Sequence, residues 1–234
     1  MQGKIYLIPM TLGDTTIERV IPEDIKSIVR DIKVFIVENI RTTRRYLKKI
    51  DRDINIDELQ FFELNKHTNP NDIASYLSPA LKGSDIGIIS EAGCPGVADP
   101  GADVVKIAHT KNLQVVPLVG PSSILLALMA SGMNGQNFAF NGYIPVKKPE
   151  RARKLKELEK RSAIENQTQI FIEAPYRNMQ LMEDILASCS PSTRLCIACD
   201  LTLETEIAVT KTVAQWKGKL PQIHKRPAIF LIQK

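Results

Sequence analysis

Histidine and cysteine are scarce in this 234-residue sequence, which contains three histidines and four cysteines. The three histidines, His67, His109 and His224, are scattered, so neither a clustered metal site nor a Ser-His-Asp triad is indicated. Cys196 and Cys199 have CxxC spacing, but no second pair or nearby histidine completes a zinc set. Because they lie in the strand-like stretch "RLCIACDLT", we expect buried apolar thiols and no metal site.

Several familiar signatures are also missing from the sequence. There is no GxxxxGK[ST] phosphate loop, no GxGxxG after a strand, and no GxSxG nucleophile elbow. No apolar run is long enough to cross a bilayer, and "MQGKIYLIPM" lacks the features of a signal peptide. We therefore expect a cytoplasmic protein with no membrane partner.

Short apolar runs alternate with helical patterns through the first half of the chain. This alternation predicts an α/β domain over residues 1–118, with a mostly parallel sheet flanked by helices. Beyond it, strands become more frequent relative to helices, which predicts a second α/β domain over residues 119–234 with a mixed sheet. The helical stretch "GPSSILLALMASG" is apolar nearly all round, so we expect it to be buried against a neighbouring domain.

The net charge of +5 is concentrated in one segment. Residues 147–161 contain eight basic and three acidic residues, whereas the rest of the chain has 23 of each. Two interpretations of this segment stay open: a solvated helix or an arm that contacts phosphates. A second stretch, "RTTRRYLKK" at 41–49, has five basic residues and no acidic one, which favours a polyanionic partner.

Four unusual sequences follow the predicted parallel strands: "PMTLGD", "ENIRTTRR", "SEAGCPGVADPG" and "VGPSS". The carboxyl ends of parallel strands form the edge where open α/β sheets bind ligands. Some residues here also have simpler interpretations. Asp99 and Ser122 are suitable helix caps, and Arg41 is suited to pair with Glu38. Glu91 caps nothing obvious.

These loops resemble the tetrapyrrole methylase-type family of S-adenosylmethionine (SAM) methyltransferases. "SEAGCPGVADPG" resembles "SDAGTPGISDPG" in the branch that methylates a cytidine ribose 2′-oxygen of bacterial small-subunit rRNA. "VENIR" is similar to "AEDTR", "VVPLVGPSS" to "VVPLPGPSA", and "EAPYR" to "ESPHR". The opening "YLIPMTLGD" and the final "RPAIFLI" also match, so the similarity runs nearly from end to end.

The resemblance implies two α/β domains, SAM in a cleft between them, a homodimer, and an RNA partner in the form of small-subunit rRNA or the 30S particle. The N-terminal domain would supply the substrate side and SAM loops, and the C-terminal domain the adenine side and the basic helix. The residues implied to bind SAM come from both domains: Pro9, Glu91, Ala92, Gly93, Pro121, Ser122, Ala174, Pro175, Pro227 and Ala228.

Ribose 2′-O-methylation needs a group that accepts the hydroxyl proton, because a ribose hydroxyl is a poor nucleophile. Within the resemblance, Glu38 and Asp99 are the candidate bases and Arg41 is a candidate phosphate contact.

The sequence departs from the rRNA branch along the rim of the implied site, at Asn39, Glu91, Cys94, Asp200 and Leu203. Two other functions therefore stay open. One is C-methylation of a corrin or porphyrin precursor, and the other is a catalytically silent factor that binds RNA or assists ribosome assembly.

Overall fold

The computed structural model describes residues 2–65 and 67–234, which form two compact units divided between Ser122 and Ser123. Each unit contains one five-stranded sheet with helices packed on it. Two α/β domains are therefore confirmed. The division lies four residues beyond the boundary predicted at 118–119, because the helix that starts at Ser123 packs on the second sheet.

The first unit is built on a parallel sheet with strand order β3-β2-β4-β1-β5. Its strands are β1 (Ile5–Leu7), β2 (Val34–Val37), β3 (Gln60–Glu63), β4 (Ile86–Ile89) and β5 (Val115–Pro117). The central strands β2 and β4 are buried along their whole length. This explains their uninterrupted apolar sequences, since a central parallel strand is covered on both faces.

Helices cover both faces of this first sheet. They are α1 (Ile17–Val20), α2 (Asp24–Asp31), α3 (Ile40–Ile50), α4 (Pro70–Tyr76), α5 (Ser78–Leu81) and α6 (Gly101–Thr110). Apolar side chains of α1, α2 and α3 pack in one cluster, and those of α4, α5 and α6 in another. The chain thus leaves the adjacent strands β1 and β4 towards opposite faces. Such a divergence opens a crevice at the carboxyl edge of the sheet.

The second unit has a mixed sheet with strand order β6-β7-β10-β8-β9. Only β6 and β7 are parallel, and the other neighbours are antiparallel, as predicted. The strands are β6 (Phe138–Tyr143), β7 (Thr168–Ile172), β8 (Arg194–Cys199), β9 (Ile207–Thr212) and β10 (Ala228–Gln233). The helices are α7 (Ser123–Ser131), α8 (Lys148–Glu165), α9 (Asn178–Ser188) and α10 (Val213–Trp216).

Cys196 and Cys199 are buried in β8, and burial raises the pKa of both thiols. Residues three apart in a strand point to opposite faces of the sheet, so these two thiols cannot converge on one ion. Their placement matches the expected role as small apolar core residues.

Helix α7 is less buried than its apolar sequence predicts. Ala127 and Leu128 face the second sheet, but Leu125 and Met129 remain 52% and 78% exposed. The expectation of burial on every side is therefore wrong for this outer face. Among residues 2–65 and 67–234, no helix is both long and apolar enough to cross a membrane.

Half of the eight cations of the basic segment 147–161 form ion pairs within the second unit. Arg151 is buried and donates to Asp184 at 2.7 Å. Three further ion pairs join neighbouring turns: Lys147 with Glu150, Lys154 with Glu157, and Arg161 with Glu165. Only Lys148, Arg153, Lys156 and Lys160 of this segment lie outside the ion pairs found in the described chain. The structure thus favours a partly self-neutralised, solvated helix.

Candidate functional site

Three loops at the carboxyl edge of the first sheet are held together by their backbones. Met10, after β1, and Gly93, after β4, exchange two N–H···O hydrogen bonds of 2.8 and 3.1 Å. Gly93 has a φ of +71°, which a residue with a side chain rarely adopts. The sequence prediction that these loops lie at one edge is confirmed by this pairing.

The loop after β5 joins them by close contact between Gly120 and Pro9. A Cβ atom on Gly120 would lie 2.1 Å from the Cβ of Pro9. Only glycine fits here, because real Cβ contacts do not approach that closely. The glycine of "VGPSS" and the proline of "PMTLGD" are thus fitted to one another.

Cys94 adds a polar link between the loops after β4 and β5. Its thiol donates to the carbonyl oxygens of Pro121 at 3.4 Å and Gly120 at 3.7 Å. Burial raises the pKa of this thiol, which keeps it protonated as a donor. Cysteine at this position therefore retains the hydrogen-bond donor that a threonine would provide.

Sequence reasoning missed Tyr46, whose side chain holds the Pro9 loop in place. Its hydroxyl is buried and donates to the Pro9 carbonyl at 2.6 Å. Burial raises the pKa of Tyr46, so the donor stays protonated. The available signal was one aromatic residue on the inward face of an otherwise basic helix.

Glu38 lies at the carboxyl end of β2, beside the β4 loop. Its Oε2 accepts a hydrogen bond from the backbone N–H of Glu91 at 3.2 Å. Burial raises the pKa of Glu38, and the nearby carboxylates of Glu91 and Asp99 raise it further, against the lowering effect of that hydrogen bond. Glu38, Ser90 and Asp99 line the same small cavity. This is the environment of a carboxylate suited to accept a proton.

The carboxylate of Asp99, by contrast, accepts hydrogen bonds from backbone N–H groups of its own loop. Its two oxygens accept from the N–H of Gly96 at 3.0 and 2.9 Å, and Oδ1 also accepts from Gly101 at 2.7 Å. Ala98 has a φ of +63°, so the chain folds tightly back around this carboxylate. Helix α6 starts at Gly101, and its N-cap position is Pro100, with no side-chain capping bond. The interpretation of Asp99 as the helix cap is therefore wrong, and the geometry favours a carboxylate that holds its own loop over one that accepts a proton.

Asn39 and Arg41 begin the helix that follows Glu38. The Asn39 side chain accepts from the Thr42 N–H at 3.0 Å, so asparagine caps α3 as an aspartate would. Arg41 is exposed, and within residues 2–65 and 67–234 no carboxylate pairs with it. The simple interpretation of an Arg41–Glu38 ion pair is therefore wrong, and the Arg41 guanidinium faces solvent.

The remaining candidates of the first unit differ in exposure. Glu91 and Ala92 are exposed beside Gly93, Ser122 is half-buried, and Pro121 is buried. A free carboxylate at Glu91 is electrostatically suited to a cationic ligand.

The candidates of the second unit also converge. Ala174 and Pro175 follow β7, while Pro227 and Ala228 enter β10, and β7 and β10 are antiparallel neighbours. The Lys225 N–H donates to the Pro175 carbonyl at 3.0 Å, which joins the two segments.

A polar network that sequence reasoning missed supports these segments. Arg226 donates from Nε to the carboxylate of Asp200 at 2.8 Å and from Nη2 to the Thr205 carbonyl at 2.6 Å. Asp200, Thr202 and Lys225 all have positive φ values, of 51°, 75° and 60°. Strained backbone of this kind clusters at ligand sites. Asp200, one of the rim departures, thus has a defined structural role.

Unpartnered buried polar atoms occur beside the same segments. Glu173 Oε2, Arg177 Nε, Asn178 Oδ1 and Thr202 Oγ1 have no hydrogen-bond partner among the residues that the structure describes. Buried polar atoms are ordinarily satisfied, so a group of exceptions indicates capacity for a polar ligand. Closely fitted glycine loops thus occur in the first unit, and unpartnered buried polar atoms occur in the second.

Within residues 2–65 and 67–234, no group of three or more His, Cys, Asp or Glu side chains is arranged to hold a metal ion.

Known proteins resemble this chain in sequence and in fold. Ribosomal RNA small subunit methyltransferase I of Buchnera aphidicola subsp. Schizaphis graminum is 28% identical, with 98% of this chain and 78% of that protein matched. The protein of the same name from Escherichia coli O157:H7 is also 28% identical, over 86% of this chain and 66% of its own length.

Among solved structures, uroporphyrin-III C-methyltransferase from Thermus thermophilus complexed with S-adenyl homocysteine has a TM-score of 0.57 and 16% identity. The match covers 99% of this chain and 98% of that one. At this identity the similarity shows a shared fold.

The model of the tetrapyrrole (corrin/porphyrin) methylases matches residues 15–216, which include β2 to β9 and the loops at Gly93 and Gly120 but not the loop at Pro9. Because the match covers most of the sequence, the chain belongs to the tetrapyrrole methylase family.

Proposed function

We propose that this protein is a SAM-dependent methyltransferase that methylates a cytidine ribose 2′-hydroxyl of small-subunit rRNA. The observation that carries the proposal is the cluster of Pro9, Gly93 and Gly120, whose β4 loop also donates a hydrogen bond from the Glu91 N–H to the carboxylate of Glu38. The names of the curated relatives support the rRNA substrate. An rRNA substrate also supports a cytoplasmic location.

The residues proposed to hold SAM lie on both units. Pro9, Gly93 and Pro121 would provide closely fitted backbone, and Glu91 and Ala92 would line the methionine end, with Ser122 nearby. In the second unit, Ala174, Pro175, Pro227 and Ala228 would contact the adenine. When bound, SAM supplies an electrophilic methyl group. The protein then mainly has to orient the incoming hydroxyl and accept its proton.

Glu38 is the proposed general base. Its Oε2 is held by the Glu91 N–H, and among the described residues no donor reaches Oε1. Oε1 is therefore the oxygen proposed to accept the ribose proton. Asp99 is proposed to shape the loop, and Arg41 to bind a phosphate of the substrate.

The alternatives have weaker support. C-methylation of a tetrapyrrole precursor is favoured only by relatives with a common fold and 13 to 17% identity. A silent RNA-binding factor would not need the unpartnered buried atoms beside Ala174 and Pro175. Calorimetry with SAM separates the silent factor from either enzyme, because that factor would release no heat of binding.

A homodimer is also proposed. The exposed Leu125 and Met129 on α7 provide an apolar surface that a second copy would cover. A monomeric mass in sedimentation equilibrium would contradict this proposal.

Replacement of Gly120 by alanine is expected to weaken SAM binding about tenfold or more, which corresponds to about 1.4 kcal/mol. The added Cβ would force the Pro9 loop away from Gly120. Isothermal titration calorimetry would measure the dissociation constant.

Gly135→Ala is the matched control, since its added Cβ meets nothing within 4 Å and its φ is not positive. It is expected to bind SAM as the wild type does. Wild-type affinity in a folded Gly120→Ala variant would show that the loop packing does not form the SAM site.

Replacement of Glu38 by glutamine is expected to lower kcat about 10²- to 10⁴-fold, the usual contribution of a general base. SAM affinity is expected to stay within about twofold, because the proposed cofactor contacts lie elsewhere. In the wild type, the base acts as a carboxylate, so kcat should fall as the pH drops through the raised pKa of Glu38. This decline should therefore begin at a higher pH than an ordinary glutamate would give.

The comparison variant is Asp99→Asn, which should weaken SAM binding through the Gly96–Gly101 loop more than it alters the pH profile. Single-turnover rates across pH, with 30S particles as substrate, would measure both effects. Full turnover by Glu38→Gln would reject Glu38 as the base.

A further inference from the structure

The positive charge of the first unit is concentrated in α3. This helix contains Arg41, Arg44, Arg45, Lys48 and Lys49 and no acidic residue. Residues 1–122 as a whole contain 15 basic and 16 acidic residues, so the unit has no general excess of positive charge. The helix is thus a local basic surface on a nearly neutral unit.

Four of these cations form a single stripe along the helix. Arg41, Arg44, Arg45 and Lys48 are spaced by three, one and three residues, and all four are exposed. In an α-helix this spacing places side chains on one face. The opposite face is anchored in the core by the buried side chains Thr43, Tyr46, Leu47 and Ile50.

The stripe is not neutralised by the rest of the described chain. The only ion pair of α3 within residues 2–65 and 67–234 joins Lys49, outside the stripe, to Asp14. Arg44 lies over the Phe61 ring at 5.3 Å from its centroid, a contact that positions the guanidinium without removing its charge. Helix α8 also has exposed cations outside the described ion pairs, but carboxylates within its own unit pair with Arg151, Lys154 and Arg161.

The stripe also begins close to the proposed base. Arg41 lies three residues after Glu38, and the 11-residue helix extends about 16 Å beyond it. Through Tyr46, the same helix is hydrogen-bonded to the Pro9 carbonyl of the proposed SAM loop. A sugar-phosphate backbone bound along the stripe would therefore keep a fixed position relative to Glu38.

We infer that the stripe Arg41, Arg44, Arg45 and Lys48 binds successive phosphates of the RNA beside the methylated nucleotide. The inference rests on the proposed function and identifies which of the two basic helices carries the substrate. Guanidinium groups are suited to this task, because they bind phosphate oxygens through two parallel hydrogen bonds.

The test compares two triple variants that remove the same number of charges. The stripe variant is Arg44→Gln, Arg45→Gln and Lys48→Gln. The control is Arg153→Gln, Lys156→Gln and Lys160→Gln, three exposed cations on α8 that form no ion pair with another described residue. Glutamine is a good helix former, so both helices should be retained. Filter binding to small-subunit rRNA transcribed in vitro, between about 50 and 200 mM salt, gives the affinities.

The stripe variant is expected to lose at least about tenfold in RNA affinity. The slope of log K against log salt should become shallower by about 2, since each lost phosphate contact contributes about 0.7. The α8 control should keep the wild-type slope, and calorimetry should show unchanged SAM affinity for both variants.

Two outcomes would overturn the inference. If the wild type binds rRNA and the stripe variant keeps its slope, or the α8 control loses as much, α3 is not the RNA surface and the proposed function is unaffected. If the wild type binds SAM but not rRNA at any of these salt concentrations, the rRNA substrate of the proposed function fails as well.

Discussion

The close contact between Pro9 and Gly120 is the constraint on which the candidate site depends. It allows the loops after β1 and β5 to touch, and the backbone pairing of Met10 with Gly93 adds the loop after β4. Each contact needs the residue that is present: glycine at 120 for space, and glycine at 93 for its positive φ. Three loops that leave the sheet in different directions are thereby held as one surface.

Helix α3 connects this surface to the rest of the proposed chemistry. Its N-terminus follows Glu38, its buried Tyr46 holds the Pro9 carbonyl, and its outer face carries the unpaired cations. One element thus has a role in orienting the proposed base, the proposed cofactor loop and the proposed RNA path. The helix is firmly packed because Tyr46, Leu47 and Ile50 are buried in the core.

Much of the architecture could be predicted because periodicity and loop chemistry are local signals. The alternation of apolar runs and helices predicted the parallel first sheet, and its topology placed the Gly- and Pro-rich loops at one edge. The family resemblance brought Ala174 and Pro227 to one region of the second unit, where the antiparallel pairing of β7 and β10 joins their segments.

The features of the site that could not be predicted from the sequence depend on contacts between residues that are distant in the chain. Tyr46 reaches Pro9 across 37 positions, and Arg226 reaches Asp200 across 26. Nothing in the sequence near Asp99 distinguishes a loop-holding carboxylate from a base, because the difference lies in where its hydrogen bonds go. The partial exposure of α7 was likewise hidden, since an apolar sequence does not say which of its faces is covered.

Mapping of ribose methylation in the small-subunit rRNA tests the central claim most directly. rRNA from cells that lack this protein would be compared with rRNA from the parent strain and from the deletion strain carrying the wild-type gene. The account predicts that one cytidine loses its 2′-O-methyl group in the deletion strain and regains it on complementation. An identical methylation pattern in all three strains would contradict the account.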